Sequence, residues 1–202
     1  MAPAPAPEFA TVLTGSPEPP LWPISVELYG RMVAAGLLGK GERAYLWNGR
    51  LAPRMTIHRP HTIALIRVTG LIQGLLPAGV HIETEQPLAF RLSPSVPQPD
   101  LVVLRGRAED YPDRFPTTAE TLLLVEVAES SLDEVRRLAL SYAAEGVPVY
   151  WVVNLTGRRV EVFSEPAEGA YTRCTPYVEA DAVPVVLDGV EVGRVAVREI
   201  LP

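Results

Sequence analysis

The chain has 202 residues, enough for one domain with a substantial core, and its 48% apolar and 21% charged composition is that of a globular protein. A net charge of −6 supplies no global basic field to attract nucleic acid, so such a contact would need a local cluster of arginines on an acidic body. One cysteine, Cys174, excludes an intramolecular disulfide, suits a reducing, cytoplasmic setting, and cannot complete a His/Cys zinc site with the three histidines His58, His61 and His81.

No apolar run is long enough to span a bilayer, and residues 1–6 lack the basic and apolar regions of a signal peptide. A soluble protein without membrane contact is expected. Residues 1–20 are Ala-Pro repeats followed by Gly-Ser-Pro-Glu-Pro-Pro, which predicts a disordered or extended tail ahead of a domain over 21–202. A helix follows over 26–35, with Ser25 as N-cap, Gly36 as its stop, and Leu28, Met32 and Val33 as an apolar stripe. Asn48-Gly49 between two short apolar runs predicts a β-hairpin over 44–52. Pro60 opens a second helix to about Leu76, and strands are expected over 80–85, 88–92 and 101–104.

After a polar loop over 105–120 comes the near-continuous apolar run 121–128, the pattern of a central strand covered on both faces. Ser131 and Glu134 form the pattern of a capping box for a third helix, which Gly146 ends. Strands are expected over 149–153 and 159–164, and short strands around the Asp188-Gly189 turn within 182–200. Cys174 reads as a small apolar filler, and Trp47 and Trp151 as core or dimer-interface aromatics. Strand, helix and strand over 121–153 make a parallel crossover. The class is therefore α/β, with a mixed central β-sheet flanked by helices.

Within this order, Asp100 follows a proline at the mouth of one strand and Glu126 interrupts the next. Read as neighbouring parallel strands, these would bring both carboxylates to one cleft, where they can share a hard cation such as Mg²⁺. Such a cation activates water and steadies a scissile phosphate, and a nearby positive side chain normally completes the site. The third helix carries Arg136 and Arg137 for that purpose. Bland alternatives exist for each residue: a turn residue for Asp100, a buried ion pair with Arg136 or Arg137 for Glu126, a helix-start histidine for His61, and a solvated surface for the arginines.

Pro99-Asp100, then Leu-Leu-Val-Glu-Val-Ala-Glu-Ser-Ser, then Tyr-Ala-Ala-Glu-Gly-Val-Pro-Val-Tyr-Trp-Val-Val-Asn resembles the Uma-type family of putative restriction endonucleases. That family is a branch of the PD-(D/E)XK nuclease superfamily. The resemblance runs over about 23–165 and includes Val26-Glu-Leu-Tyr and Pro60-His61. It implies a restriction-endonuclease-like fold and metal-dependent cleavage of DNA, with Asp100 and Glu126 as ligands of Mg²⁺ or Mn²⁺ and His61 matching a histidine at the start of the second helix. It also exposes departures. The family's acidic hairpin turn is Asn48-Gly49 here, Glu85 replaces a common glutamine, and the family's helix lysine falls on Leu138, with Arg137 beside it.

Lys40 is the only lysine in the chain, so no other can migrate into the role unless its loop folds over the site. Arginine can hold phosphate charge but does not give up a proton. Two functions therefore compete: a metal-dependent DNA endonuclease in which Arg137 replaces lysine, and a catalytically inactive nuclease-fold binding or assembly module. Either would be a homodimer, and the first would meet DNA through a local arginine-bearing cleft.

Overall fold

The computed structural model describes residues 21–38, 44–54 and 57–202. The Ala-Pro segment 1–20 and Lys40 lie outside the described residues. Helix α1 (Val26–Ala34) begins as its sequence predicts, with Ser25 Oγ accepting from the Leu28 N–H at 3.1 Å, but its buried anchor is Tyr29 rather than the Leu28–Val33 stripe. Strands β1 (Ala44–Trp47) and β2 (Arg50–Pro53) form the expected hairpin. Asn48 and Gly49 take φ values of 47° and 73°, the left-handed pair that an Asn-Gly turn supplies at low cost. Gly49 is needed for room as well, because a Cβ there would stand 3.0 Å from Pro23.

Helix α2 (Arg59–Gln73) leads to β3 (Val80–Thr84), and β4 (Leu101–Arg105) follows after an irregular stretch. The strand expected over 88–92 is absent. Ala89 makes only an isolated bridge to Thr117, and the Glu145 carboxylate accepts from the N–H groups of Arg91 and Leu92 at 2.7 and 2.8 Å, replacing a ladder partner. Then come β5 (Thr121–Ala128), α3 (Leu132–Ala144), β6 (Val149–Asn154), β7 (Arg159–Ala167) and β8 (Ala170–Val178). The capping box does not form, since Ser131 occupies the N-cap position without a side-chain hydrogen bond. A second hairpin, β9 (Ala182–Leu187) and β10 (Val190–Ala196), turns at Asp188-Gly189 as predicted and runs into the short helix α4 (Val197–Ile200), where strand was expected.

The central sheet has order β3-β4-β5-β6-β7-β8. Only β5 and β6 pair in parallel, with α3 as their crossover, so the sheet is mixed and flanked by helices as predicted. Alternation along β5 divides the core. Leu123, Val125 and Val127 pack with α2, α4 and the β9–β10 hairpin, whereas Leu124 and Ala128 pack with Val135, Ala139 and Tyr142 of α3. Trp151 is fully buried in the first of these layers, which confirms it as a core aromatic. Cys174 is not a core filler: it is exposed on β8, an edge strand whose pairing with β7 the sequence reading passed over. No helix among the described residues is long and apolar enough to cross a membrane.

Candidate active site

Strands β4 and β5 are antiparallel, not parallel as first read, and their register pairs Leu101 with Val125. One residue further along, Asp100 faces Glu126 at the end of the ladder, so the carboxylates converge by direct cross-strand opposition. The Asp100 N–H donates to Glu126 Oε2 at 3.3 Å, and the Val127 N–H donates to Asp100 Oδ2 at 2.7 Å. Each side chain is thus tied to the backbone of the facing strand.

From α2, His61 Nε2 bonds Asp100 Oδ2 at 3.0 Å, while its Nδ1 is buried without a hydrogen-bond partner among the described residues. From α3, the Tyr142 hydroxyl donates to Glu126 Oε1 at 3.0 Å. Burial and the neighbouring Asp100 charge push the Glu126 carboxyl well above the usual carboxylate range, against the hydrogen bond from Tyr142. Burial followed by the Glu126 charge likewise pushes the Tyr142 hydroxyl well up, so it stays a proton donor. Burial pulls the His61 imidazole down, but its hydrogen bond to Asp100 and the charges of Asp100, Glu85 and Glu129 outweigh that and raise it.

These residues line a cleft of about 150 Å³ between the first hairpin, the start of α2 and the start of α3. Its walls include Tyr45, Trp47, Arg54, Glu129, Glu134 and Leu138. Glu129 Oε2 is buried there with no hydrogen-bond partner among the described residues. The carboxylates therefore outnumber the fixed cations, and Arg54 is the one arginine that lines the cleft among the described residues.

The expected arginines are elsewhere. Arg136 forms a two-pronged bond to Glu161 at 2.9 and 2.7 Å, which removes the Glu126–Arg136 ion pair as an explanation of Glu126. Arg137 is exposed on α3 and is not among the residues lining the cleft, because the helix turns its next residue, Leu138, to that side. Asn48 also lies outside the cleft. It borders a separate hollow with Trp47, Phe90 and Glu145, and its N–H donates to Ser95 Oγ at 2.9 Å. Tyr142 and Arg54 are the contributors that sequence reasoning missed. Tyr142 had a signal, being one helical turn beyond Leu138, whereas Arg54 had none.

Donor chemistry gives the test of fit for a divalent ion. Two opposed carboxylates offer hard oxygen ligands, and a cation between them would relieve the repulsion that raises Glu126. No cluster of three or more His, Cys, Asp or Glu side chains in ligating arrangement occurs among the described residues, so water or substrate oxygens would complete the coordination shell.

A mixed sheet that presents an aspartate after proline at one strand mouth and a glutamate inside the adjacent strand is consistent with the PD-(D/E)XK nuclease type. Residues 26–196 match the model of the Uma2 family, described as "Putative restriction endonuclease", and the chain belongs to that family. Among solved structures, it is similar to a crystal structure described as a putative nuclease belonging to DUF820 from Anabaena variabilis ATCC 29413. That likeness has a TM-score of 0.63 at 13% identity, covers 88% of this chain and 97% of the other, and shows the fold. No curated protein matches the chain.

Proposed function

We propose that the chain is a metal-dependent DNA nuclease whose cleft binds Mg²⁺ or Mn²⁺ between Asp100 and Glu126. The supporting observation is their opposition across the β4–β5 ladder, with burial and like charge raising Glu126 and no arginine partner for it among the described residues. A bound divalent ion would supply Lewis-acid polarisation of a phosphate oxygen and an activated water. The chain's own residues set that stage. The Val127 N–H and His61 Nε2 fix the Asp100 carboxylate, and the Tyr142 hydroxyl fixes that of Glu126, so both point into the cleft without rotamer search. His61 is then a positioning residue for Asp100. Arg137, outside the cleft, has no role in this reading.

The second reading is a nuclease-fold binding module without chemistry. It is favoured by Leu138, which brings an apolar side chain to the cleft where the family resemblance implies an ammonium. Titration calorimetry with MnCl₂, paired with nicking of supercoiled plasmid, separates the two. The nuclease reading expects Mn²⁺ binding and nicking in the parent chain, both abolished by Asp100→Ala. Binding without nicking selects the second reading, and absence of binding ends the first. We also place the chain as a homodimer. Leu21, Trp22 and Leu51 are exposed large apolar groups around the first hairpin, with Trp22 89% accessible, and light scattering on the eluting protein reads the mass directly.

A further inference from the structure

The cleft must accept a polyanion, yet its lining carries the carboxylates of Asp100, Glu126, Glu129 and Glu134. Among the described lining residues Arg54 is the one arginine set against them. Its position is prepared by the fold. Arg54 follows β2 directly, and its Nη2 donates to Glu85 Oε1 at 3.3 Å. Glu85 is in turn fastened to the Asp100 segment, donating its N–H to the carbonyls of Pro99 and Asp100 at 3.1 and 3.2 Å. To do so it adopts φ of 54°, a left-handed conformation that a glutamate takes only when its surroundings require it. The contacts thus run from guanidinium to Glu85 carboxylate to the backbone of Asp100. They hold a cation at the rim of the carboxylate site with side-chain exposures of only 21% and 38% for the pair.

We propose that Arg54 is the phosphate-binding cation of this cleft, held by Glu85 until a nucleic-acid phosphate displaces that carboxylate. The assignment rests on the nuclease reading of the same cleft, and it gives the positive charge a source on the first hairpin rather than on α3. An arginine fork suits this role, since it can bond a phosphate through two parallel N–H groups where Glu85 takes a single bond. No proton transfer is asked of it.

The test uses the full chain and a short fluorescein-labelled DNA duplex, with CaCl₂ as a non-supporting ion for affinity and MnCl₂ for cleavage. Arg54→Gln is expected to weaken duplex binding by roughly tenfold and to lower the slope of log affinity against log salt by about 1. Cleavage should fall by about 10²–10³-fold, the usual effect of removing one charge-stabilising donor. Arg54→Lys should recover part of the affinity and of the salt slope. Glu85→Gln should tighten binding by freeing the guanidinium, and Arg105→Gln, which breaks the exposed pair with Asp188, should leave all readouts unchanged. Mn²⁺ binding, read separately by calorimetry, should be intact in Arg54→Gln.

Parent-like duplex affinity and salt slope in Arg54→Gln would overturn the inference while leaving the metal site standing. So would a Glu85→Gln variant that only melts earlier and binds DNA no better, which is the behaviour of a purely structural ion pair. A parent that binds no duplex even at low salt overturns it as well. If instead Mn²⁺ fails to bind the parent but the Arg54 dependence of duplex binding persists, the nuclease reading fails and the phosphate contact survives.

Discussion

Glu126→Gln separates charge from shape at the cleft. Glutamine keeps the length of the side chain and an oxygen that can accept from Tyr142, but removes the charge that faces Asp100. Facing residues of an antiparallel ladder hold their Cβ atoms about 4.5–5.5 Å apart, and two like charges about 5.5 Å apart at an effective dielectric of about 20 repel by about 3 kcal/mol. The Tyr142 bond to the charged form offsets part of this, since bonds to ionised groups contribute about 1.5–3 kcal/mol. Where both groups are ionised, the net gain in metal-free buffer is up to about 1.5 kcal/mol, which raises the melting temperature of a chain this size by up to about 6 °C, and the gain shrinks at pH values where Glu126 keeps its proton.

Metal reverses the order. A ligand at a hundred times its Kd stabilises the folded state by about 2.7 kcal/mol, so the parent should gain about 5–11 °C with that excess of Mn²⁺, and Glu126→Gln should gain nothing. The pH dependence has a definite sign. The Glu126 carboxyl is raised in the folded state by burial and by Asp100, so the folded chain keeps a proton that the unfolded chain has released. The stability this gives is complete below the ordinary carboxyl value and is lost as pH climbs from there through the raised value. Scanning calorimetry over a pH series, with and without MnCl₂, reads all three effects. A Glu126→Gln variant that melts below the parent in metal-free buffer, or that still gains from Mn²⁺, refutes the reasoning.

Glu161 should show the opposite slope. Although burial opposes its ionisation, Arg136, Arg159 and Asn154 hold its carboxyl down from 4.5 to about 2, so its contribution is present above 4.5 and lost as pH falls toward 2. The shift corresponds to at most about 3 kcal/mol, and solvent screening of the partly exposed arginines brings it to about 1–2 kcal/mol. Glu161→Gln should flatten the acid limb of the melting profile, and an unchanged limb counts against the network. Tyr142→Phe should lower Mn²⁺ affinity by about tenfold through the freed Glu126 oxygen, read by calorimetry, with unchanged affinity as the contrary result. Leu138→Lys brings an ammonium to the cleft and should raise plasmid nicking with Mn²⁺ by about 10²–10³-fold, whereas Asn48→Glu, which borders the other hollow, should not. Equal effects from both would mean that nicking does not come from this cleft.

Much of the candidate site was legible because its signals are local contrasts. A lone glutamate in an eight-residue apolar strand and an aspartate behind a proline at a strand mouth stand out against their neighbours. The fold class was legible for a similar reason, since an apolar strand, a helix and another apolar strand allow little besides a parallel crossover. Orientation of β4 against β5 was not legible, because the same two strands can bring Asp100 and Glu126 together in either direction. Arg137 misled because adjacent helix residues lie about 100° apart: one position decides between the cleft, where Leu138 points, and the exposed face. Arg54 was hidden for a longer-range reason. Its meaning depends on a bond to Glu85, which lies 31 residues away and adopts a left-handed conformation.

Glu126, half-buried on β5, and Glu161, buried on β7, show together what the cleft lacks. Both project from the central sheet, and both would cost several kcal/mol if left charged and alone. For Glu161 the fold supplies two guanidinium groups and an amide, all within 3.2 Å, and the carboxyl is driven down to about 2. For Glu126 it supplies a tyrosine hydroxyl, one backbone N–H and a second carboxylate, and the carboxyl is driven up. Arg136 leaves α3 nearly two turns before Tyr142 and is bonded to Glu161, so the shortage at Glu126 is not a shortage of arginine on the helix. A site that concentrates unneutralised oxygen ligands beside a helix bearing cations is electrostatically incomplete as it stands. A proton on Glu126 relieves the pair in metal-free buffer and a divalent ion would have to displace it, which is why Mn²⁺ binding, rather than cleavage, is the first measurement on which the nuclease reading depends.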